Sequence, residues 1–300
     1  MGALSCRAAK LAAPLSLVMT LWFATPAFAT ASDISAADTA WMIVATALVL
    51  MMTIPGLALF YSGMVRKKNV LATMAQSLAA VAIVSILWVA FGYSLVFVGD
   101  GPWLGTLDRW FLAGMTMDSV NPAAKTIPES LFMLYQMTFA IITVALVAGS
   151  VADRMRFSAY LLFSIGWFLL VYIPLAHWVW GGGFLGAAGV LDFAGGLVVH
   201  LSAGVGGLVA AKVLGRRHGY GTDNLSPFDL SLAVVGTGLL WVGWFGFNAG
   251  SALTAGTLAT SAFAATHFSA AAGALSWASV FAPAGPPSKL KTNSFKAYAT

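Results

Sequence analysis

The chain has almost no cysteine and very little charge. Its one cysteine, Cys6, lies close to the start, so the rest of the chain can build neither a disulfide framework nor a thiolate metal site. Charged residues make up only 8% of the 300 positions, where soluble domains average about 25%. A soluble core of this size would need a far more polar shell. Also missing are a paired-carboxylate site, a glycine-rich phosphate loop with a following lysine, and a nucleophile elbow. His177 and His200 sit at opposite ends of a glycine-rich connection, without recognisable metal-ligand spacing. These gaps argue against an enzyme, and neither a cofactor nor a metal is expected. The pI near 9.4 does not indicate a nucleic-acid partner. The lysines and arginines are scattered through short connections, as topogenic charges are.

What remains is apolar: hydrophobic residues account for 60% of the chain. The composition predicts an all-α polytopic membrane protein with a lipid bilayer as its solvent. Residues 1–31 read as a cleaved signal peptide, with Arg7 and Lys10 as the basic region, Leu11–Phe23 as the apolar region and Ala27-Phe28-Ala29 as the cleavage site. A membrane domain over 41–282 follows. Its apolar runs at 41–63, 72–98, 129–151, 157–176, 194–213, 230–250 and 258–282 are each near the ~20 residues that a bilayer requires. Residues 283–300 form a polar, atypical tail that cannot span. Alternating these runs puts eleven basic residues inside, namely Arg66, Lys67, Lys68, Arg154, Arg156, Lys212, Arg216, Arg217, Lys289, Lys291 and Lys296. Only Arg109 and Lys125 fall outside. That bias predicts a multi-pass protein of the cytoplasmic (inner) membrane with its mature N-terminus outside.

The polar groups concentrate in one stretch, His177-Trp178-Val179-Trp180-Gly-Gly-Gly183, followed by Leu191-Asp192-Phe193-Ala-Gly-Gly196 and His200. Each polar group in apolar surroundings is expensive, which makes this stretch the first place to look for function. If the fifth span is helical from about 194, His200 shares a face with Gly196, Ala203, Gly204 and Gly207. Small neighbours permit a close helix or a channel beside the imidazole. A neutral histidine satisfied by a helix neighbour is the plain alternative. Asp192 is placed to cap that helix, and ligand contact is the other reading. Tyr135, Gln136 and Phe139 in the third run, and Trp244, Phe247 and Ser251 on one face of the sixth, read by themselves as packing or belt residues, as do Trp178 and Trp180.

Four segments together resemble the ammonium transporter family (the Amt, Mep and Rh proteins). They are Thr53-Ile-Pro-Gly-Leu-Ala-Leu-Phe-Tyr61, Ala176-His-Trp-Val-Trp-Gly-Gly-Gly183, Leu191-Asp-Phe-Ala-Gly-Gly196 with His200, and Gly243-Trp-Phe-Gly-Phe-Asn-Ala-Gly-Ser251. The resemblance implies a bundle of two inverted five-helix repeats plus one helix, assembled as a homotrimer with a pore in each subunit. It implies recruitment of ammonium (methylammonium as analogue) by Phe139, Trp180 and Ser251, and a gate of Phe139 and Phe247. His200 would be a pore histidine and Asp192 the acidic residue below the vestibule. Ammonium would be deprotonated and pass along a hydrophobic, histidine-lined path. The second repeat is incomplete here, and the family's second pore histidine has no counterpart, since His267 lies outside the matching motif. The expectation is therefore a truncated or frame-shifted, inactive form, with His200 and Phe139 exposed to lipid or water. The family's C-terminal tail is absent, so its cytosolic nitrogen-regulatory partner is not carried over. A non-transporting ammonium sensor or scaffold is the alternative reading.

Overall fold

The computed structural model describes residues 34–281, so the leader at 1–31, Cys6 and the tail at 283–300 lie outside the described residues. The described residues are helical, with no strand beyond one isolated bridge between Asn121 and Ala124. Among the described residues, six helices are long and apolar enough to cross a membrane: α1 (Ala36–Met64), α2 (Lys67–Phe97), α3 (Glu129–Val151), α4 (Phe157–Ala187), α5 (Gly196–Leu214) and α6 (Leu230–Gly250). A seventh helix, α7 (Thr257–Phe281), fills the seventh expected span. It is not among the helices apolar enough to span, because alanine, serine and threonine take the place of leucine, isoleucine and valine along much of it.

The central element is α3. In its most apolar window 83% of residues are buried, against 22% in α5 and 28% in α6. Four spans contain a π-helical turn: Met52–Leu57 in α1, Trp88–Gly92 in α2, Phe168–Tyr172 in α4 and Gly196–Leu201 in α5. Such a turn admits an extra residue and rotates everything downstream on the helix. In α1 the turn contains Pro55, which has no N–H for the ladder. Trp88, fully buried, packs edge-on against Tyr93, Phe97, Phe168 and Tyr172. Its indole N–H donates to the Met133 carbonyl at 3.1 Å, which ties α2 to α3.

Glycines let α6 lie directly on α1. A Cβ on Gly246 would meet the Ala45 carbonyl oxygen at 2.6 Å, and one on Gly250 would meet the Ala45 Cβ at 2.8 Å. Backbones approach this closely only where side chains are absent.

The two ends of the bundle differ in charge. At the basic end the Asp153 carboxylate, wholly buried, receives Arg66 at 3.2 Å, Arg217 at 3.8 Å and the Asn69 amide. At the opposite end Glu129 accepts the Tyr93 hydroxyl at 2.8 Å and pairs with Arg109 at 3.3 Å. There too the buried His177 ring lies between the Val96 carbonyl (2.8 Å) and the Gly101 carbonyl (2.6 Å). His177 therefore fastens the loop after α2 to α4, and takes no part in the site described next.

Candidate functional site

Four rings from four different helices stand in sequence. Phe139 on α3 and Phe247 on α6 stack with centroids 4.2 Å apart and planes inclined by 30°. Trp180, on α4, meets Phe139 edge-on at 5.8 Å. On the other side His200 of α5 meets Phe247 edge-on, also at 5.8 Å. The sequence expectation that Phe139 would be exposed is not met: Tyr135, Trp180 and Phe247 cover it, leaving 2% accessible. His200 is exposed, as expected.

The Phe139 and Trp180 side of the stack opens into a cavity of about 270 Å³. Its polar side chains are Gln136, Asp192 and Ser251, and its aromatic ones include Phe97, Phe132 and Phe193. The Ser251 hydroxyl donates to the Phe247 carbonyl at 2.8 Å, so its lone pairs remain for a donor. Tyr135, buried beneath, gives its hydroxyl proton to the carbonyls of Gly246 and Phe247, at 3.0 and 2.9 Å. That contact holds the end of α6 against α3.

Asp192 is a helix cap in the fullest sense. One carboxylate oxygen accepts the backbone N–H groups of Gly195 and Gly196, both at 2.7 Å, and the other accepts Leu197 at 3.0 Å and Val198 at 2.8 Å. These are the donors that a helix start leaves without partners. The Asp192 backbone carbonyl also accepts the Trp180 indole N–H at 2.8 Å. One residue thus starts α5 and orients the indole.

The π turn at the start of α5 changes what His200 faces. Its backbone N–H and its ring Nδ1 both reach the Gly195 carbonyl, at 3.0 and 3.1 Å. The ring's partner is therefore five residues back, not the residue at three or four that a regular α-helix predicts. Gly195 can make this turn because its φ is +92°, a region that side chains disfavour. A carbonyl only accepts, so in the neutral ring Nδ1 carries the proton and Nε2 keeps its lone pair.

Several aromatic candidates part company here. Trp178 packs with Trp103 and Phe184 and donates to the Trp103 carbonyl at 2.9 Å; it lies outside the aromatic cavity, two positions from a residue that lines it. Trp244 is 37% exposed and does not line the cavity, although it shares a helix with Phe247 and Ser251. His267 packs against Trp241, Phe245 and Phe268, in a different place from His200. A larger cavity, about 780 Å³, is an apolar groove between α4 and α5 lined by residues such as Trp167, Leu175 and Leu201. It shares no lining residue with the aromatic cavity.

The sequence singled out Gln136 but read it as a packing or belt residue. Its Oε1 is buried with no hydrogen-bond partner among the described residues, and the residue lines the cavity. A lone amide one residue from Tyr135 in an apolar span was the available signal. Leu253, at the cavity's lip, takes a φ of +56° that a leucine rarely adopts, and strain of this kind gathers at functional sites.

The chain matches the Ammonium Transporter Family over residues 40–289. It belongs to the ammonium transporter family. Among its relatives, the ammonium transporter of Bacillus subtilis is 53% identical over 240 residues, covering 80% of this chain and 58% of that protein. A putative ammonium transporter of Methanothermobacter thermautotrophicus is 51% identical over 244 residues, covering 81% of this chain and 59% of that protein. The crystal structure of Candida albicans Mep2 superposes with a TM-score of 0.75 at 37% identity, covering 83% of this chain and 55% of that one. The chain thus spans about three fifths of the length of the curated relatives it matches. The family is one of transporters, not of enzymes, and its members share this polytopic helical fold.

Proposed function

We propose that this chain recruits ammonium into the aromatic cavity and passes it across the Phe139–Phe247 stack toward His200, as part of an ammonium-conducting path. The observation that carries the reading is the continuous ring series Trp180, Phe139, Phe247, His200. An ammonium ion entering this cavity must exchange water for something else. Aromatic faces attract a cation by about 0.5–2 kcal/mol, more as water is removed. Ser251 and Gln136 add acceptors for its N–H groups. Potassium has no N–H to donate, so acceptors beside rings favour ammonium over it.

Beyond the stack an unpaired cation meets low dielectric, where its desolvation is prohibitive. Loss of a proton leaves ammonia, a neutral solute that an apolar path accepts. The free Nε2 of His200 is suited to receive or relay that proton. In this reading the basic end faces the cytoplasm and the aromatic cavity faces outward, in keeping with the charge bias. The pore-forming unit is a homotrimer in the inner membrane, with lipid against the exposed apolar faces of α5 and α6.

Methylammonium uptake by cells that lack their own ammonium transporters and produce this chain tests the reading. Saturable uptake is the result this reading expects, and it would overturn the inactive form expected from the incomplete second repeat; Trp180→Leu should then raise the half-saturation concentration about tenfold. Ser251→Ala should weaken discrimination against potassium. Unaltered kinetics in both variants would remove the recruitment site. Methylammonium binding without uptake would instead favour a sensor.

Gln136→Leu supplies a second measurement on the same cavity. The amide oxygen has no protein partner to lose, so folding should be unaffected. Loss of an acceptor for a charged donor should weaken methylammonium affinity about tenfold. An unchanged concentration dependence would exclude Gln136 from substrate contact.

A further inference from the structure

The basic end holds a second polar cavity, of about 330 Å³, between the start of α2 and the connection from α3 to α4. Its charged and titratable lining residues are Arg66, Lys68, Asp153, Arg154, Arg156 and His218. The single carboxylate is already compensated, since Asp153 holds Arg66, Arg217 and the Asn69 amide. Arg66 is further engaged with Asp223 at 3.4 Å. The other groups are not compensated. Arg154 gives Nη1 to the carbonyls of Ala211 and Gly215, both at 3.1 Å, while its buried Nε–H has no acceptor among the described residues. Gln76 is 5% exposed and lines the cavity, and its Oε1 has no partner among the described residues. Lys68 and Arg156 are exposed at the cavity and have no ion-pair partner among the described residues.

We propose that this cavity is a binding site for a phosphate-bearing anion. A buried guanidinium N–H without an acceptor is costly, and guanidinium groups pair with phosphate oxygens through directed, charge-assisted bonds. Donors here come from two segments: Lys68 and the Gln76 amide on α2, and Arg154 and Arg156 on the connection from α3 to α4. Phosphate, with oxygens spread tetrahedrally, meets such an arrangement better than a planar carboxylate does. The unpartnered Gln76 Oε1 then accepts from a hydroxyl, which a protonated phosphate or a glycerol-type headgroup carries. The phosphate can belong to an acidic phospholipid or to a soluble phosphate. Met155 lines both this cavity and the apolar groove between α4 and α5, so a headgroup held here has an apolar surface nearby for its chain.

The test uses the full chain in a non-ionic detergent, with inorganic phosphate and dioctanoyl phosphatidylglycerol as probes and dioctanoyl phosphatidylcholine as the zwitterionic reference. Binding is read by phosphorus NMR for phosphate and by native mass spectrometry for the lipids. The Lys68→Gln, Arg156→Gln double variant should weaken binding about 25-fold, about fivefold for each charge. Gln76→Leu should weaken it severalfold with no loss of thermal stability, because no protein hydrogen bond is removed. Lys212→Gln, which removes a charge from α5 outside the cavity, should leave binding within about twofold. Binding of both probes identifies the phosphate group as sufficient, and binding of phosphatidylglycerol alone assigns the site to a lipid headgroup. The proposal is overturned if neither probe binds, or if Lys212→Gln weakens binding as much as the double variant. These readouts do not involve uptake, so they stand apart from the fate of the ammonium reading.

Discussion

Asp192→Ala is expected to destabilise the chain by about 3 kcal/mol and to abolish methylammonium recruitment. Loss of a capping side chain ordinarily costs about 1–2 kcal/mol. Here a single carboxylate accepts four backbone N–H groups, and charge-assisted bonds to an aligned helix start lie at the upper end of the range. The same substitution frays the turn that presents the Asp192 carbonyl to the Trp180 indole, so the indole loses its anchor over Phe139. Asp192→Asn should recover about half of the loss in stability, since one amide oxygen still accepts while the amide nitrogen faces donors. Thermal unfolding in detergent, beside uptake, decides the matter. An alanine variant with unchanged unfolding but no recruitment would make Asp192 a ligand contact and not a cap.

The second large effect is expected at Gly246. A methyl group there would sit 2.6 Å from the Ala45 carbonyl oxygen and 2.6 Å from the Leu48 Cβ. Backbone cannot swing away as a flexible side chain can, so α6 has to separate from α1. Overpacking of this kind costs about 1–3 kcal/mol, and the upper end is expected for Gly246→Ala. Phe247 is the next residue, so the shift also pulls its ring off Phe139. Gly238→Ala on the same helix is the control, because a Cβ there has nothing within 4 Å. It should leave stability unchanged or raise it by up to about 1 kcal/mol, as glycine is the poorer helix former. Equal unfolding temperatures for the two variants would rule out close packing of α6 on α1 as the reason for the glycines.

Trp178 and Trp180 show how far local reading could go. Their position at the end of an apolar run gave both the same reading, as belt residues. A helix turns by about 100° per residue, so positions two apart face opposite ways. Trp178 joins Trp103 while Trp180 faces Phe139. Nothing within their own helix distinguishes them. The pairing of Phe139 with Phe247 depends equally on contact between distant segments, since each alone is an ordinary aromatic in an apolar helix. The family motifs singled out these positions, and the packing of α6 on α1, which itself lies on α3, brings them together.

Hydrophobicity alone was enough to set the membrane class, the helical character and most of the spans. Two of the expected runs, 129–151 and 230–250, coincide with Glu129–Val151 and Leu230–Gly250, because Pro128 and the capping Asp229 mark their starts sharply. Lipid imposes that order locally, since any run apolar enough to enter it must satisfy its backbone as a helix. The tertiary structure decided which faces meet. The π turn at Gly196–Leu201 rotates His200 toward Phe247, Gly195 supplies the left-handed residue behind it, and the buried amide of Gln136 becomes part of a cavity. Those outcomes depend on helix rotation and crossing, which are set by close contacts between residues as far apart in the chain as Ala45 and Gly246.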